Sequence, residues 1–131
     1  MKKHFGIIIL LVLLSFLLSS CENVSFNSEV AIGVAEFHTN KKATFSFSYY
    51  SGKKEYILNA KDNSTLKYTA KIEEGSAIVY IDCDGEKKEL YTIHSLEEID
   101  STFELKAKGS IIITIETTEK MKKGKFTFEI V

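Results

Sequence analysis

The chain has no proline, no tryptophan and no arginine, and only two cysteines in 131 residues. Two cysteines cannot build the framework of a disulfide-stapled domain, so the fold has to stand on an apolar core. Without proline, the edges of a sheet need another protection, such as the wet-face lysines Lys67, Lys71, Lys106 and Lys108. The absence of tryptophan weakens a reading based on stacking against sugar rings. No apolar run is long enough to cross a bilayer: the longest, Phe5 to Leu18, has 14 residues, where a spanning helix needs roughly 20. Neither sign of charge dominates, with 17 Lys against 18 Asp and Glu. Beyond residue 20 the balance is about −3, which excludes a general nucleic-acid binder with a strongly basic face.

What the chain does have begins at its N-terminus. Lys2 and Lys3 precede the 14-residue run, and Leu18-Ser19-Ser20-Cys21 follows it. A basic start, a short apolar stretch and small residues at the end have the form of an export signal. Leu18, Ser19, Ser20 and Cys21 fill the four positions of a lipobox, so this segment resembles the bacterial lipoprotein signal. The resemblance implies diacylglycerol on the Cys21 thiol, cleavage before it, and a lipid-anchored protein on the extracytoplasmic face of the cell membrane. One acyl chain anchors marginally and two hold firmly, so lipid alone would tether the domain. The Lys-, Ile- and Glu-rich, Arg-free composition resembles that of AT-rich bacterial genomes and points toward a Gram-positive envelope. The implied organisation is a signal at 1–20, a tether at 21–29 and one domain at 30–131, of a size for a single core.

Downstream, the hydrophobic period is two. Phe45, Phe47 and Tyr49 share one phase, as do Leu66, Tyr68, Ala70 and Ile72, then Phe103, Leu105 and Ala107, then Phe126, Phe128 and Ile130. Such alternation predicts strands with one wet and one packed face, in antiparallel order. Turn signals at 39–42, 51–54, 61–64, Glu74-Gly75, Asp84-Gly85 and Lys108-Gly109 separate them. Strands are expected near 30–38, 43–50, 54–60, 65–73, 76–83, 87–93, 101–107, 110–117 and 124–130. This spacing predicts an all-β antiparallel sandwich, jelly-roll or immunoglobulin-like, of eight or nine strands. Asp84-Gly85 suits a type I′ hairpin. Ser95 and Glu98 have capping-box spacing, predicting one short helical turn near 95–100. Ile111-Ile112-Ile113 predicts a central strand buried on both sides. The ending Gly124-Lys125-Phe126-Thr127-Phe128-Glu129-Ile130 resembles that of a loose class of small extracellular β-sandwich lipoproteins, which supports the fold alone.

Chemistry-bearing residues are sparse. Asp82, Asp84 and Glu86 fail the EF-hand register, because glycine arrives too early and Lys87 and Lys88 follow. Cys83 continues the inward phase of Val79 and Ile81, and its acidic neighbours work against nucleophilicity. His38 and His94 have no ligand at zinc spacing, so no metal or cofactor is expected. Glu97, Glu98 and Asp100 could pair for acid–base work only if the fold converged them. Lys120, Lys122, Lys123 and Lys125 crowd what reads as the last turn, a candidate contact for anionic lipids or wall polymers. Tyr49 and Tyr50 must face opposite ways, and Tyr50 is the candidate surface contact. The sequence therefore points to a non-catalytic binding or interaction module of the cell envelope. An inhibitor or immunity-type lipoprotein acting on an extracellular enzyme or toxin is the alternative, and a small hydrolase a distant third.

Overall fold

Three ribbons of this chain change their inward-facing phase part-way along, and that change sets the architecture. The computed structural model describes residues 29–106 and 108–131; the expected signal, Cys21 and most of the tether lie outside the described residues. Eight strands form: β1 (Val30–Ile32), β2 (Ala35–His38), β3 (Lys42–Ser51), β4 (Lys53–Ala60), β5 (Thr65–Cys83), β6 (Glu86–His94), β7 (Glu98–Glu104) and β8 (Gly109–Ile130). All pairings are antiparallel. They join into one sheet, not the two separate sheets of an immunoglobulin-like domain.

The long strands β5 and β8 run through both halves of that sheet. The first half of β5 pairs with β7 and with the second half of β8, while its second half pairs with β6 and the start of β8. On the other side of β8, β3 and β4 follow one another as a single ribbon interrupted at Gly52. Inward residues on β5 are Leu66, Tyr68, Ala70 and Ile72, then Ala77, Val79 and Ile81. On β8 they are Ile111, Ile113 and Ile115, then Met121, Phe126, Phe128 and Ile130. Each ribbon thus switches parity where it bends.

The bend folds the sheet upon itself. Tyr91 pairs with Val79, which lies 11 positions after Tyr68 on the same strand; a straight strand would separate them by roughly 36 Å at ~3.3 Å per residue. Yet the rings of Tyr68 and Tyr91 stack with centroids 5.1 Å apart. Phe45 of β3 likewise meets Tyr56 of β4 at 6.5 Å. The two halves therefore face each other as the layers of a sandwich, with the buried apolar residues of both in one core. Burying each Leu, Ile, Phe or Val contributes about 1.5–3 kcal/mol, which is what a chain without disulfides needs.

A crease crosses the ribbons at the bend. At Gly52, the backbone N donates to Thr117 Oγ1 at 2.8 Å, and Thr117 N donates back to Gly52 O at 3.0 Å. Gly75 has φ +99°, and a Cβ there would lie 2.3 Å from the Lys120 carbonyl oxygen. Only glycine lets β5 and β8 approach so closely. Opposite this point β8 carries two more residues than β5, with Glu74 pairing Lys122 and Ala77 pairing Thr117. Extra residues on one strand bend and twist it, as bulges do.

Several expectations are corrected by this arrangement. Glu74-Gly75 and the stretch around Lys120 to Lys123 are bends inside β5 and β8, not turns between strands. The single strand expected at 30–38 breaks at Gly33, whose φ of +64° directs the chain past Ser48. No helical turn forms at 95–100. Ser95 Oγ accepts from Gly75 N at 2.9 Å and donates to Gly75 O, while Glu98 pairs with Lys71 as β7 begins. A tertiary partner for the serine has displaced the local cap. Lys67 and Lys71 lie on the interior strand β5, so they guard no edge. The Asp84-Gly85 hairpin forms with φ of 54° and 74°, as a type I′ turn requires. Ile111 and Ile113 are buried on central β8, with Ile112 only half-buried.

Candidate functional site

Folding puts the apolar phase inside and leaves a polar face outside. On the half built by β3, β8, β5 and β7, register sets the outward residues in rows. Ala35, Ser46, Lys125, Lys71 and Glu98 form one; Phe37, Thr44, Thr127, Thr69 and Asp100 form the next. Thr69 and Thr127 share a hydrogen bond between their hydroxyls. Across the face the chemistry runs from apolar at β2, through hydroxyls at β3 and lysines on β8 and β5, to carboxylates on β7.

Two adjoining depressions open on this face. One, of about 450 Å³, is lined by Lys71, Glu73, Glu97, Glu98, Lys123 and Lys125 above an apolar floor. The other, of about 490 Å³, shares Lys71, Glu98 and Lys125 and adds Thr69 and Asp100. Lys123 pairs with Glu73 at 3.8 Å and Lys122 with Glu74 at 3.5 Å. Lys71 and Lys125 are direct cross-strand partners. Among the described residues neither has a carboxylate within ion-pair distance. Like charges directly opposite repel. Two ammonium groups on neighbouring strands, beside two hydroxyls, can hold an oxyanion, and the carboxylate wall can accept from hydroxyl or amino groups.

The lysines singled out from the sequence are partly gathered here. Lys123 and Lys125 line the depressions, Lys122 pairs with Tyr49 three positions before Lys125, and Lys120 lies at the crease. Lys53 and Lys54 do not extend the patch, since Lys54 pairs with Glu36 and Lys53 with Glu55, and neither Lys41 nor Lys42 lines the depressions. Lys71 escaped notice because it sits mid-strand, 54 positions from Lys125; only register joins them.

Tyr50 is corrected. It is fully buried, its ring edge-on to Phe45 at 4.9 Å, because β3 turns both Ser48 and Tyr49 outward as it nears the crease. Tyr49 is the half-exposed partner.

Other candidates stay apart. His38 Nε2 donates to Ile57 O at 2.9 Å, and exposed His94 pairs with Ser76 outside both depressions. No cluster of three or more metal-ligating side chains occurs among the described residues. Cys83 lines a separate groove with Ile81, Phe103 and Leu105. Burial pushes its thiol up, and Asp84 and Asp82 add to the effect, so it stays protonated at neutral pH.

No protein-family model and no curated protein matches the chain. Among solved structures it is similar to PliG of Aeromonas hydrophila, a periplasmic inhibitor of g-type lysozyme. That match has 14% identity over 76% of this chain and 88% of that one, with a TM-score of 0.47. A family 29 carbohydrate-binding module aligns at 11% identity over 81% of this chain and 79% of that one, with a TM-score of 0.42. TmCBM61, solved with β-1,4-galactotriose, aligns at 15% over 75% and 69%, with a TM-score of 0.39. Identities this low and TM-scores below 0.5 carry no functional argument for this chain.

Proposed function

We propose that the chain is a cell-envelope lipoprotein, anchored through lipid on Cys21, whose domain is a non-catalytic module binding an anionic envelope polymer. One observation carries the binding half of this reading: Lys71 and Lys125 are cross-strand neighbours, shared by two adjoining depressions, and among the described residues neither has a carboxylate within ion-pair distance. A phosphodiester or carboxylate strand would lie along the lysines, with its hydroxyl or amino groups toward Glu98 and Asp100. The lipobox at 18–21 supports the anchor.

The test is sedimentation of the protein with purified bacterial cell wall, before and after its phosphodiester polymers are stripped chemically. Binding should fall about tenfold in Lys71→Glu and in Lys125→Glu, because losing either ammonium contact costs about 1–2 kcal/mol. Equal binding by both variants, or by stripped wall, would sink the polymer reading. Mass spectrometry of the processed N-terminus tests the anchor separately, and a bare Cys21 would remove it.

A second reading has its own observation. The Asp84-Gly85 tip projects with nothing within 4 Å of a Gly85 Cβ, beside a groove that sets Cys83 and Phe103 among charged residues such as Glu86 and Lys88. A projecting hairpin suits insertion into an enzyme cleft, as an inhibitor would do. Recovery of one stoichiometric extracellular enzyme, lost on Asp84→Lys, would favour it.

A further inference from the structure

Every residue from Glu29 to Lys42 is exposed, although two strands form within that stretch. Seven large apolar side chains are exposed among the described residues, and four of them fall here: Val30, Ile32, Val34 and Phe37. They lie outside the core and stay 40–59% exposed. Scattered exposed apolar residues need no explanation, but a contiguous strip on one margin marks an interaction site.

Position in the chain names the occupant. The strip starts at Val30, nine positions after Cys21. Fully extended, that length spans about 30 Å, and as a flexible coil roughly 15–20 Å. Val30 opens the first described strand after Cys21, so the lipid anchor ties this margin to the bilayer through the shortest length of chain. The neighbouring row has the order of a membrane interface. Ile32 pairs with Tyr49, and Tyr49 with Lys122, which places an apolar side chain, a phenol and an ammonium side by side. Tyrosine favours the headgroup level and lysine reaches anionic headgroups from just above it.

We infer that the β1–β2 margin is a membrane-seating edge, with Ile32 and Phe37 in the headgroup boundary of the bilayer that holds the Cys21 lipid. The depressions around Lys71 and Lys125 lie further across the same face, on β8 and β5, two and three strands in from that contact line. The inference rests on the lipid anchor and adds an orientation that the anchor alone does not give.

The chain has no tryptophan, so a single introduced indole reports its own surroundings. The full-length lipoprotein is prepared as Ile32→Trp, Phe37→Trp or Leu96→Trp and placed in vesicles with anionic lipid, with and without brominated acyl chains. Leu96 is the control, exposed on the β6–β7 corner at the opposite margin. Expected is a blue shift and about twofold quenching at positions 32 and 37, as for a ring seated ~5–10 Å into the boundary, with position 96 unaffected. Three results overturn the inference. Equal quenching at all positions would mean no fixed edge. Blue-shifted but unquenched emission would mean that protein, such as a second copy or the preceding residues, covers the strip. Unshifted emission would mean the strip faces water. N-terminal mass on the same samples separates the two claims: acylated protein with unquenched Phe37→Trp sinks the seating edge alone, whereas protein lacking acyl groups sinks the anchor and the edge together.

Discussion

The phenol of Tyr56 on β4 donates to Oε1 of Glu36 on β2 across 2.7 Å, joining two strands that share no ladder. The same carboxylate oxygen takes the Lys54 ammonium at 2.5 Å, and that ammonium stands 5.8 Å from the ring centre of Phe45 and 5.9 Å from that of Tyr56. His38 adds its bond to Ile57 O, and Asn59 N donates to Asn40 O at 2.7 Å. Together these contacts cover the free edge of β4 and shut one side of the folded sheet. An uncovered edge would invite pairing with another chain.

Glu36 should make this latch sensitive to acid. Burial by itself would raise the carboxyl, but the Lys54 hydrogen bond and charge, with the Tyr56 phenol, outweigh it and hold the group below its usual range. A carboxyl lowered by folding adds stability that is present above the unfolded value, near 4.5, and lost as pH falls through the folded one. Glu36→Gln should therefore melt below the parent at pH 7, and the gap should close as pH falls below about 4. A gap that stays constant with pH would show that the carboxylate charge does not hold the latch.

The crease makes a sharper demand on Gly75 than the hairpin tip makes on Gly85, although both hold a positive φ. Alanine at Gly75 meets the Lys120 carbonyl and must also hold a left-handed φ. Gly85→Ala faces only the conformational cost, since nothing lies within 4 Å of its Cβ. Denaturant unfolding should show a loss of about 3 kcal/mol or more for Gly75→Ala against about 1 kcal/mol for Gly85→Ala. Equal losses would mean that β5 and β8 can part at the crease without penalty.

Period-two patterning made the strand identities readable, because Leu66 to Ile72 and Phe126 to Ile130 alternate without fault. The crease was not readable. Glycine beside an acidic residue at Glu74-Gly75 signals a turn as well as a bend, and only the partner strand, with its extra residues at 117–122, decides between them. The same reason hid Tyr50: a parity change inside β3 swaps the inward residue without any change in composition. Lys125 was found because its lysine neighbours are adjacent in sequence. Lys71 was not, since the row joining them exists only in the register of β5 on β8. Ser95 misled because its hydroxyl has two acceptable uses, and the Gly75 backbone won.

The Lys71–Lys125 pair should oppose stability to function. Repulsion between cross-strand lysines costs a few tenths of a kcal/mol at low salt and is screened at high salt. Lys125→Gln should thus unfold at slightly higher denaturant than the parent in low salt, with the difference gone near 1 M salt, while wall binding falls. A variant that loses stability and binding together would place Lys125 in the structure of the face, not in its recognition.

Two of the inward tyrosines, Tyr50 and Tyr56, offer the last contrast. The hydroxyl of Tyr50 is buried and has no hydrogen-bond partner among the described residues, and burial, with Glu29 and Glu36 nearby, pushes its ionisation well above the ordinary phenol range. Removing a hydroxyl that carries a desolvation cost and no bond should be neutral or gain up to about 1 kcal/mol. Tyr56 differs by one contact, its bond to Glu36, which is worth about 1 kcal/mol at a part-buried site. Tyr50→Phe should therefore melt at or above the parent temperature and Tyr56→Phe below it. The reverse order would mean that the Tyr50 phenol is held by a group from outside residues 29–131, and that the latch at Tyr56 contributes nothing.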